Sequence, residues 1–311
     1  MDNISRVADL IDDIAMKVYD EADNQNKKIN YLESLCITMD YLTGIDNEFI
    51  TNKCKKAFNE IKNINLNSEE LRQALFLQEI KAYKQINLNL DSITPPSIAM
   101  ILAYIMKQVD NMTILDLGLG IANLSIIVSH YLNVHTNFIG IEQNGILCDL
   151  VKSKANLLQI PMEIHMNDCL DFSYNNVDAI ISDVENYEYN NEYYHSPLYD
   201  EGVRSYAYLL IEKHIHSGKD NALSYYIVDN DFFSYEGNQL FKNELFKYAH
   251  IKCLITLPSN FFRGKPKIIL VISKNNANEK VDTTLFNLPS INNNTNYLKV
   301  LNNIKDLLSK E

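Results

Sequence analysis

The stretch Ile114-Leu115-Asp116-Leu117-Gly118-Leu119-Gly120-Ile121-Ala122-Asn123 decides the fold. Its apolar beginning predicts a buried β-strand, and the residues after Gly120 begin a helical pattern. Glycines at such a turn let the backbone approach a ligand closely, and the first turn of a helix offers N–H groups to it. We therefore predict a ligand site where this strand meets this helix.

Strand and helix patterns alternate from this stretch to residue 248. Such alternation predicts an α/β fold with a mostly parallel sheet and helices on both faces. The last two strand patterns, Ile251 to Leu257 and Lys267 to Ser273, leave no room for a helix between them. They therefore predict an antiparallel hairpin at the sheet edge, joined around Phe262 to Pro266. The tail predicts a loop at Asn292 to Asn296 and a terminal helix over Tyr297 to Leu308.

The chain before Pro95 has a different character, because it contains no proline and no convincing alternating strand. Apolar residues recur at helical spacing from Ile4 to Ile14 and from Glu69 to Ala82. We therefore predict two domains, a helical N-terminal domain over residues 1–90 and an α/β domain over residues 91–311.

Two further acidic positions follow predicted strands of the α/β domain. Glu142 ends the second strand, where a carboxylate can accept both hydroxyls of a ribose. Asp168 and Cys169 follow the third strand, where Asp168 can accept a hydrogen bond from an adenine amino group. Loop acids after strands are common, so Asp168 carries less weight than Glu142.

The ligand is predicted to be S-adenosylmethionine rather than a dinucleotide. A dinucleotide site favours a third glycine, and this sequence has Asn123 in that place. Asp116 is poorly placed beside a pyrophosphate but well placed to pair with the ammonium group of a methionine moiety. Thr94-Pro95-Pro96 opens the preceding helix and predicts a lid over the methionine end, although a simple helix start explains it equally well.

At this point the sequence resembles a known family. Ile93-Thr94-Pro95-Pro96, followed by Asp116-x-Gly118-x-Gly120-x-x-Asn123-Leu124, is similar to class I N6-adenine DNA methyltransferases related to type I restriction–modification methylation subunits. The layout resembles their stand-alone YtxK-type relatives, including Glu70-Leu71-Arg72-Gln73-Ala74 and Leu257-Pro258-Ser259-Asn260-Phe261-Phe262. The resemblance implies a Rossmann-like sheet with an antiparallel last strand. It also implies a cofactor site formed by Thr94, Asp116, Gly118, Gly120, Asn123, Glu142, Asp168 and Cys169.

The resemblance also locates the reaction, at the end of the fourth strand. The family has Asn/Asp-Pro-Pro-Tyr/Phe there, and this sequence has Asp183-Val184-Glu185-Asn186-Tyr187. By resemblance, Asp183 and the Val184 carbonyl accept hydrogen bonds from the target amine, which orients its lone pair for transfer. Both prolines are missing, Asn186 replaces the aromatic residue, and Tyr187 or Tyr189 is left to stack on a flipped base.

The departure from the family motif leaves three functions open. The first is methyl transfer to adenine in DNA. The second is a cofactor-binding protein that has lost catalysis and acts as a regulatory or interaction module, and the third is transfer to a different acceptor. The segment Arg263-Gly264-Lys265-Pro266-Lys267 could contact phosphate or form a solvated turn, and His214 with His216 gives only a weak indication of metal.

Bulk properties limit the possible partners. The net charge of -12 argues against wrapping nucleic acid with the whole surface but allows a local groove for DNA. The five cysteines are scattered and contain no CxxC pair, so we expect thiols in a reducing cytoplasm rather than disulfides or zinc. We also expect no signal peptide, no membrane span and no membrane partner.

Overall fold

The computed structural model describes residues 2–132, 134–262, 264–274, 282–292 and 294–309. The chain divides into two compact units. The helical unit contains Met1–Ile93 and Asn144–Met162, and the sheet unit contains Thr94–Gln143 and Glu163–Glu311. The predicted domain boundary near residue 90 stays a prediction about how the chain folds.

The helical unit is built from helices that begin at side-chain caps. Asn30 and Asn67 each accept a hydrogen bond from the backbone three residues on, and Glu33 and Glu70 complete the two capping boxes. Val7, Ala8, Ile11 and Ile14 of the first helix are almost completely buried, as their helical spacing predicts. Its helices are α1 (Asn3–Asn24), α2 (Tyr31–Thr43), α3 (Lys55–Asn63), α4 (Ser68–Gln85) and α7 (Gly145–Leu158).

Helix α7 follows the second strand of the sheet in sequence, yet it packs against α2 and α4 of the helical unit. One internal segment of the α/β sequence therefore completes the helical unit.

The sheet unit has the predicted alternation of strands and helices. Its strands are β1 (Met112–Leu117), β2 (Thr136–Glu142), β3 (Met162–Met166), β4 (Val177–Asp183), β5 (Gly218–Asp229), β6 (Ala249–Thr256), β7 (Lys267–Lys274) and β8 (Thr284–Asn287). Its helices are α5 (Pro96–Ile105), α6 (Asn123–Tyr131), α8 (Pro197–Asp200), α9 (Tyr206–His214), α10 (Asn238–Leu245) and α11 (Asn294–Leu308).

Among the described residues, eight strands form one sheet in the order β3-β2-β1-β4-β5-β7-β6-β8. Strand β1 pairs in parallel with both β2 and β4, and β4 pairs in parallel with β5. Strand β7 is antiparallel to both β5 and β6. The predicted fold class, a Rossmann-like sheet with an antiparallel hairpin near its end, is confirmed.

The position predicted for the hairpin is wrong. Strand β7 enters between β5 and β6, and β8 pairs in parallel with β6 to form the edge. The four residues of β8 show no alternation of apolar and polar side chains. A short strand at a sheet edge can pair while little of its surface is buried, so its sequence carries only a weak strand pattern. The terminal helix begins at Asn294, inside the stretch predicted as loop.

The parallel order brings the carboxyl ends of β1, β2 and β4 to the same edge of the sheet. In open α/β sheets ligands bind beyond the carboxyl ends of the strands, where the strand order reverses. Here the order reverses at β1, between β2 and β4. The fold therefore supports the predicted location of the site.

Candidate functional site

The turn between β1 and α6 has the backbone shape of a ligand cradle. Gly118 and Gly120 have φ of +77° and +55°, in the left-handed region that side chains rarely adopt. A Cβ atom built on either glycine would meet no atom within 4 Å, so open space lies against both. Ala122 also has a positive φ, 56°, and directly precedes α6.

Asp116 lies at the end of β1 with 2% of its surface exposed. Its Oδ2 accepts a hydrogen bond from the Ser125 hydroxyl at 2.5 Å. Burial raises the pKa of Asp116 to about 7, against the opposing effect of Ser125, and the charges of Asp183 and Glu142 raise it further. Burial makes the ionised form of this carboxylate unfavourable, so a cation beside it would be a suitable partner.

Glu142 lies at the end of β2, and 9% of its surface is exposed. Its Oε2 accepts a hydrogen bond from the Gly120 N–H at 2.8 Å. The N–H groups of Gly118 and Leu119 donate to the Ile141 carbonyl at 3.2 and 2.9 Å. The end of β2 therefore holds the turn in place while presenting the Glu142 carboxylate beside it.

Thr94 connects the cofactor turn with the end of β4. Its carbonyl accepts from the Asn123 side-chain amide at 2.6 Å, and its hydroxyl donates to Asp183 Oδ2 at 2.8 Å. Pro96 then begins α5, as a proline in the first turn allows. One buried residue thus brings together Asn123 of the cofactor motif and Asp183 of the substrate motif.

Asp183 makes a second contact that the sequence did not predict. The Lys267 ammonium, at the beginning of β7, donates to Asp183 Oδ1 at 2.5 Å, with the two side chains 13% and 8% exposed. The sequence predicts only a phosphate contact or a solvated turn for the segment that contains Lys267, and Arg263 lies outside the described residues. The pair is not apparent from the sequence, because its two members are 84 positions apart.

Asp168 and Cys169 lie in a turn after β3, where Asp168 Oδ1 accepts from the Leu170 N–H at 2.9 Å. Cys169 is buried, which is the main cause of a thiol pKa raised to about 12. Its side chain neighbours the Gly118 N–H and the Tyr206 hydroxyl. These two predicted cofactor residues therefore lie beside the glycine turn.

Tyr187 belongs to this same group. Its ring stacks on Tyr206 with centroids 4.5 Å apart, and 46% of its surface is exposed. Burial, then the charge of Asp168, raises the pKa of Tyr187 to about 12. Tyr187, predicted to stack on the substrate base, thus lies within electrostatic reach of Asp168, the residue predicted for the cofactor adenine.

Val184 and Asn186 have structural contacts. Val184 is 3% exposed, and its N–H donates to the Ile227 carbonyl at 2.8 Å. Asn186 Oδ1 accepts from the Ser205 hydroxyl at 2.8 Å and from the Ala207 N–H at 3.2 Å. Asn186 therefore caps the beginning of α9, where the family has an aromatic residue.

The weaker candidates have structural explanations. Because a carbonyl can only accept, the His214 Nε2–H donates to the Cys169 carbonyl at 2.8 Å. Burial lowers the pKa of His214 to about 4, so the ring is neutral. The part of the chain that the structure describes contains no group of three or more side chains able to hold a metal. Tyr189, Tyr194 and Tyr199 pack edge to face against one another, as a packed loop would.

The residues present fit S-adenosylmethionine. Open space lies against Gly118 and Gly120. A buried carboxylate with a pKa near 7 suits an ammonium group. Asp116 would hold the amino acid end of the cofactor, Glu142 the ribose, and the turn at Asp168 the adenine.

Comparison with known proteins agrees with this geometry. The sequence model of the family described as N-6 DNA Methylase matches residues 91–308. The chain belongs to this family. It is therefore an S-adenosylmethionine-dependent methyltransferase by family and fold, with S-adenosylmethionine as its cofactor.

Individual relatives resemble the chain over most of its length. It is 26% identical over 256 residues to the uncharacterized protein YtxK of Bacillus subtilis strain 168, covering 78% of each chain. A structure from Listeria monocytogenes, assigned provisionally to the class I S-adenosylmethionine-dependent methyltransferases, is 23% identical with a TM-score of 0.84 and 98% coverage of both chains. The type I restriction–modification methyltransferase subunit of Streptococcus thermophilus has a TM-score of 0.66 at 15% identity, covering 94% of this chain and 74% of its own.

Proposed function

We propose that the chain transfers a methyl group to the exocyclic amino nitrogen of adenine in DNA. The observation that carries the proposal is the pair of Thr94 hydrogen bonds, to Asn123 and to Asp183. They join the cofactor motif to a carboxylate able to accept a hydrogen bond from an amine. The family's description and the type I restriction–modification relative support adenine in DNA as the acceptor.

The proposed methyl transfer requires mainly that the protein position the reacting groups. The bound cofactor supplies a methyl group on a positively charged sulfur. Asp183 and the Val184 carbonyl would accept the N–H groups of the target amine, so that the nitrogen lone pair faces that methyl group. The contacts from Thr94 and Lys267 keep the Asp183 side chain in one orientation, which such alignment requires.

Cofactor binding is tested by calorimetry with S-adenosylmethionine and S-adenosylhomocysteine. Glu142→Ala removes a charged acceptor and should weaken binding by about 1.5–3 kcal/mol. Glu236→Ala, an exposed acid on another loop, is the matched control and should bind as the wild type does. Folded protein that binds neither ligand would contradict the assignment.

Catalysis is tested by transfer of a radiolabelled methyl group to mixed-sequence DNA at low salt. Asp183→Ala should abolish transfer, since it removes the acceptor for the amine, while cofactor binding is retained through Asp116 and Glu142. Incorporation that survives Asp183→Ala would eliminate the proposed role of Asp183.

A second function is a cofactor-binding module without catalysis. The observation favouring it is that both Asp183 oxygens already accept hydrogen bonds, one from Thr94 and one from Lys267. The family's stacking position is occupied by Asn186, whose side chain caps α9 and is not aromatic. Cofactor binding without incorporation into DNA, RNA or protein would support this function over the first.

We also propose a reducing cytoplasmic location, which the five buried cysteine thiols support. Among the described residues, no helix is long and apolar enough to cross a membrane.

A further inference from the structure

We propose that Lys267 is a specificity-determining residue, which together with Asp183 recognises an amino group that has a hydrogen-bond acceptor beside it. This role rests on the proposed function and defines the hydrogen-bonding pattern that the site selects in its substrate. Lys267 and Asp183 come from β7 and β4, the strands on either side of β5. Their charged atoms lie 2.5 Å apart and are largely buried, so they form one recognition unit.

Both members of the Asp183–Lys267 pair retain hydrogen-bonding capacity. Each carboxylate oxygen has two lone pairs, and an ammonium group has three N–H donors. Asp183 accepts once on Oδ1 from Lys267 and once on Oδ2 from Thr94, which leaves further acceptor capacity on both oxygens. One N–H of Lys267 is directed to Asp183, which leaves donor capacity on the same ammonium. The pair therefore offers an acceptor and a donor side by side.

The pair is complementary to the hydrogen-bonding groups of adenine. An adenine base carries an amino donor directly beside a ring nitrogen acceptor, N1 on one edge and N7 on the other. The amino N–H would donate to Asp183 while Lys267 donates to the ring nitrogen. On its N7 edge guanine presents only the acceptors O6 and N7, which would face the Asp183 carboxylate without a donor, so the pair rejects guanine on that edge. Cytosine has an amino group beside a ring nitrogen, so the pair alone would not reject it.

The alternative role for Lys267 is to neutralise a largely buried Asp183. Charge neutralisation requires a cation near Asp183 but no particular atom in the substrate. Recognition requires that loss of one ring nitrogen matters only while Lys267 is present. The two roles therefore differ in a measurable coupling between a protein change and a substrate change.

The experiment uses three DNA strands that differ in one base, which is adenine, 1-deazaadenine or 7-deazaadenine. Initial rates of methyl transfer are measured, together with equilibrium binding to protein loaded with S-adenosylhomocysteine. With the wild type, the transfer rate and the affinity for one of the two deaza strands should fall about tenfold or more relative to the adenine strand. This is the effect expected from losing one hydrogen bond to a charged donor. With Lys267→Met, that strand and the adenine strand should become equivalent.

Two control variants separate recognition from charge and folding. Lys267→Arg keeps a cation with donors and should retain discrimination between the strands. Lys265→Met removes a lysine that is 73% exposed on the same connection, near Asp229 rather than Asp183, and should leave the strand ratios unchanged. Circular dichroism and S-adenosylhomocysteine binding verify that each variant is folded.

Equal rates and equal binding of all three strands by the wild type would overturn the role of Lys267 while leaving the proposed function intact. Unchanged discrimination in Lys267→Met would also overturn it. A wild type that binds S-adenosylhomocysteine but neither binds nor methylates any strand would contradict the proposed function itself, and this inference with it.

Discussion

Asp116 is the residue whose charge state should control cofactor affinity. Its pKa is raised to about 7, mainly by burial, so a substantial fraction is protonated near neutral pH. A ligand ammonium favours the ionised carboxylate, and binding should therefore release a proton. Affinity should fall as the pH drops below about 7, by up to about tenfold per pH unit.

Titration calorimetry in buffers of different ionisation enthalpy measures that proton release directly. Asp116→Asn keeps an acceptor for Ser125 but cannot ionise, so it should bind weakly and lose the pH dependence. Because the pKa of Asp116 in the folded state lies above the ordinary 3.8, ionisation of Asp116 lowers the free energy of unfolding, and this loss increases as the pH rises towards about 7. Binding that is independent of pH between 6 and 8 would contradict the assigned role of Asp116.

Asn186 should matter for stability rather than for stacking. Asn186→Ala removes the acceptor for Ser205 and for the Ala207 N–H, which should lower the free energy of unfolding by about 1 kcal/mol. Asn186→Tyr, which introduces the aromatic residue typical of the family, should also destabilise because it cannot accept both hydrogen bonds. Urea denaturation measures both variants, with the exposed Asn190→Ala as control, and an unchanged midpoint in both would refute the cap.

At the scale of elements, α4 and α7 are joined by a buried ion pair. Lys154 Nζ lies 2.6 Å from Glu79 Oε1, and both side chains are almost completely buried. Burial lowers the pKa of Lys154, while the Glu79 carboxylate opposes that shift. Glu79→Leu leaves a buried ammonium behind and should reduce the free energy of unfolding by about 3–5 kcal/mol.

The double variant Glu79→Leu with Lys154→Met should regain most of that stability, because no buried charge is left without its counterion. Asp13→Ala breaks an exposed pair with Lys17 and serves as the control, with a change of at most about 1 kcal/mol. Urea denaturation of all variants provides the comparison. If Glu79→Leu is as stable as Asp13→Ala, the pair does not hold α4 and α7 together.

How much of this structure the sequence predicts depends on the range of the interactions. Local patterns predict the turn at Gly118, the strand ends at Asp116 and Glu142, and the antiparallel β6–β7 pair. The position of α7 in the helical unit was not predicted, because an apolar helix face does not specify its partner. The Asp183–Lys267 pair was missed for the same reason, since no short motif relates residues from β4 and β7.

At the scale of the molecule, the negative charge of the chain limits how strongly it can bind DNA. The whole chain carries -12, and the segment from Asp183 to Glu201 contains six acidic residues and neither lysine nor arginine. DNA affinity that depends on phosphate contacts requires clustered cations. The acidity surrounding the proposed substrate residue therefore opposes a polyanionic strand, and any DNA bound there must be held through few phosphates.

We accordingly expect weak binding with a shallow dependence on salt, of fewer than about three released counterions. Glu185→Gln with Glu192→Gln removes two exposed charges of this segment and should tighten binding at low salt, because repulsion of the phosphates is reduced. S-adenosylhomocysteine binding should not change, since neither residue belongs to the cofactor site, and Glu236→Gln on another loop is the charge-matched control. Fluorescence anisotropy over a series of salt concentrations measures both affinity and slope. Tight wild-type binding with a steep slope would show that a cationic groove elsewhere dominates, whereas no gain from removing the two acids would show that this segment does not face the strand.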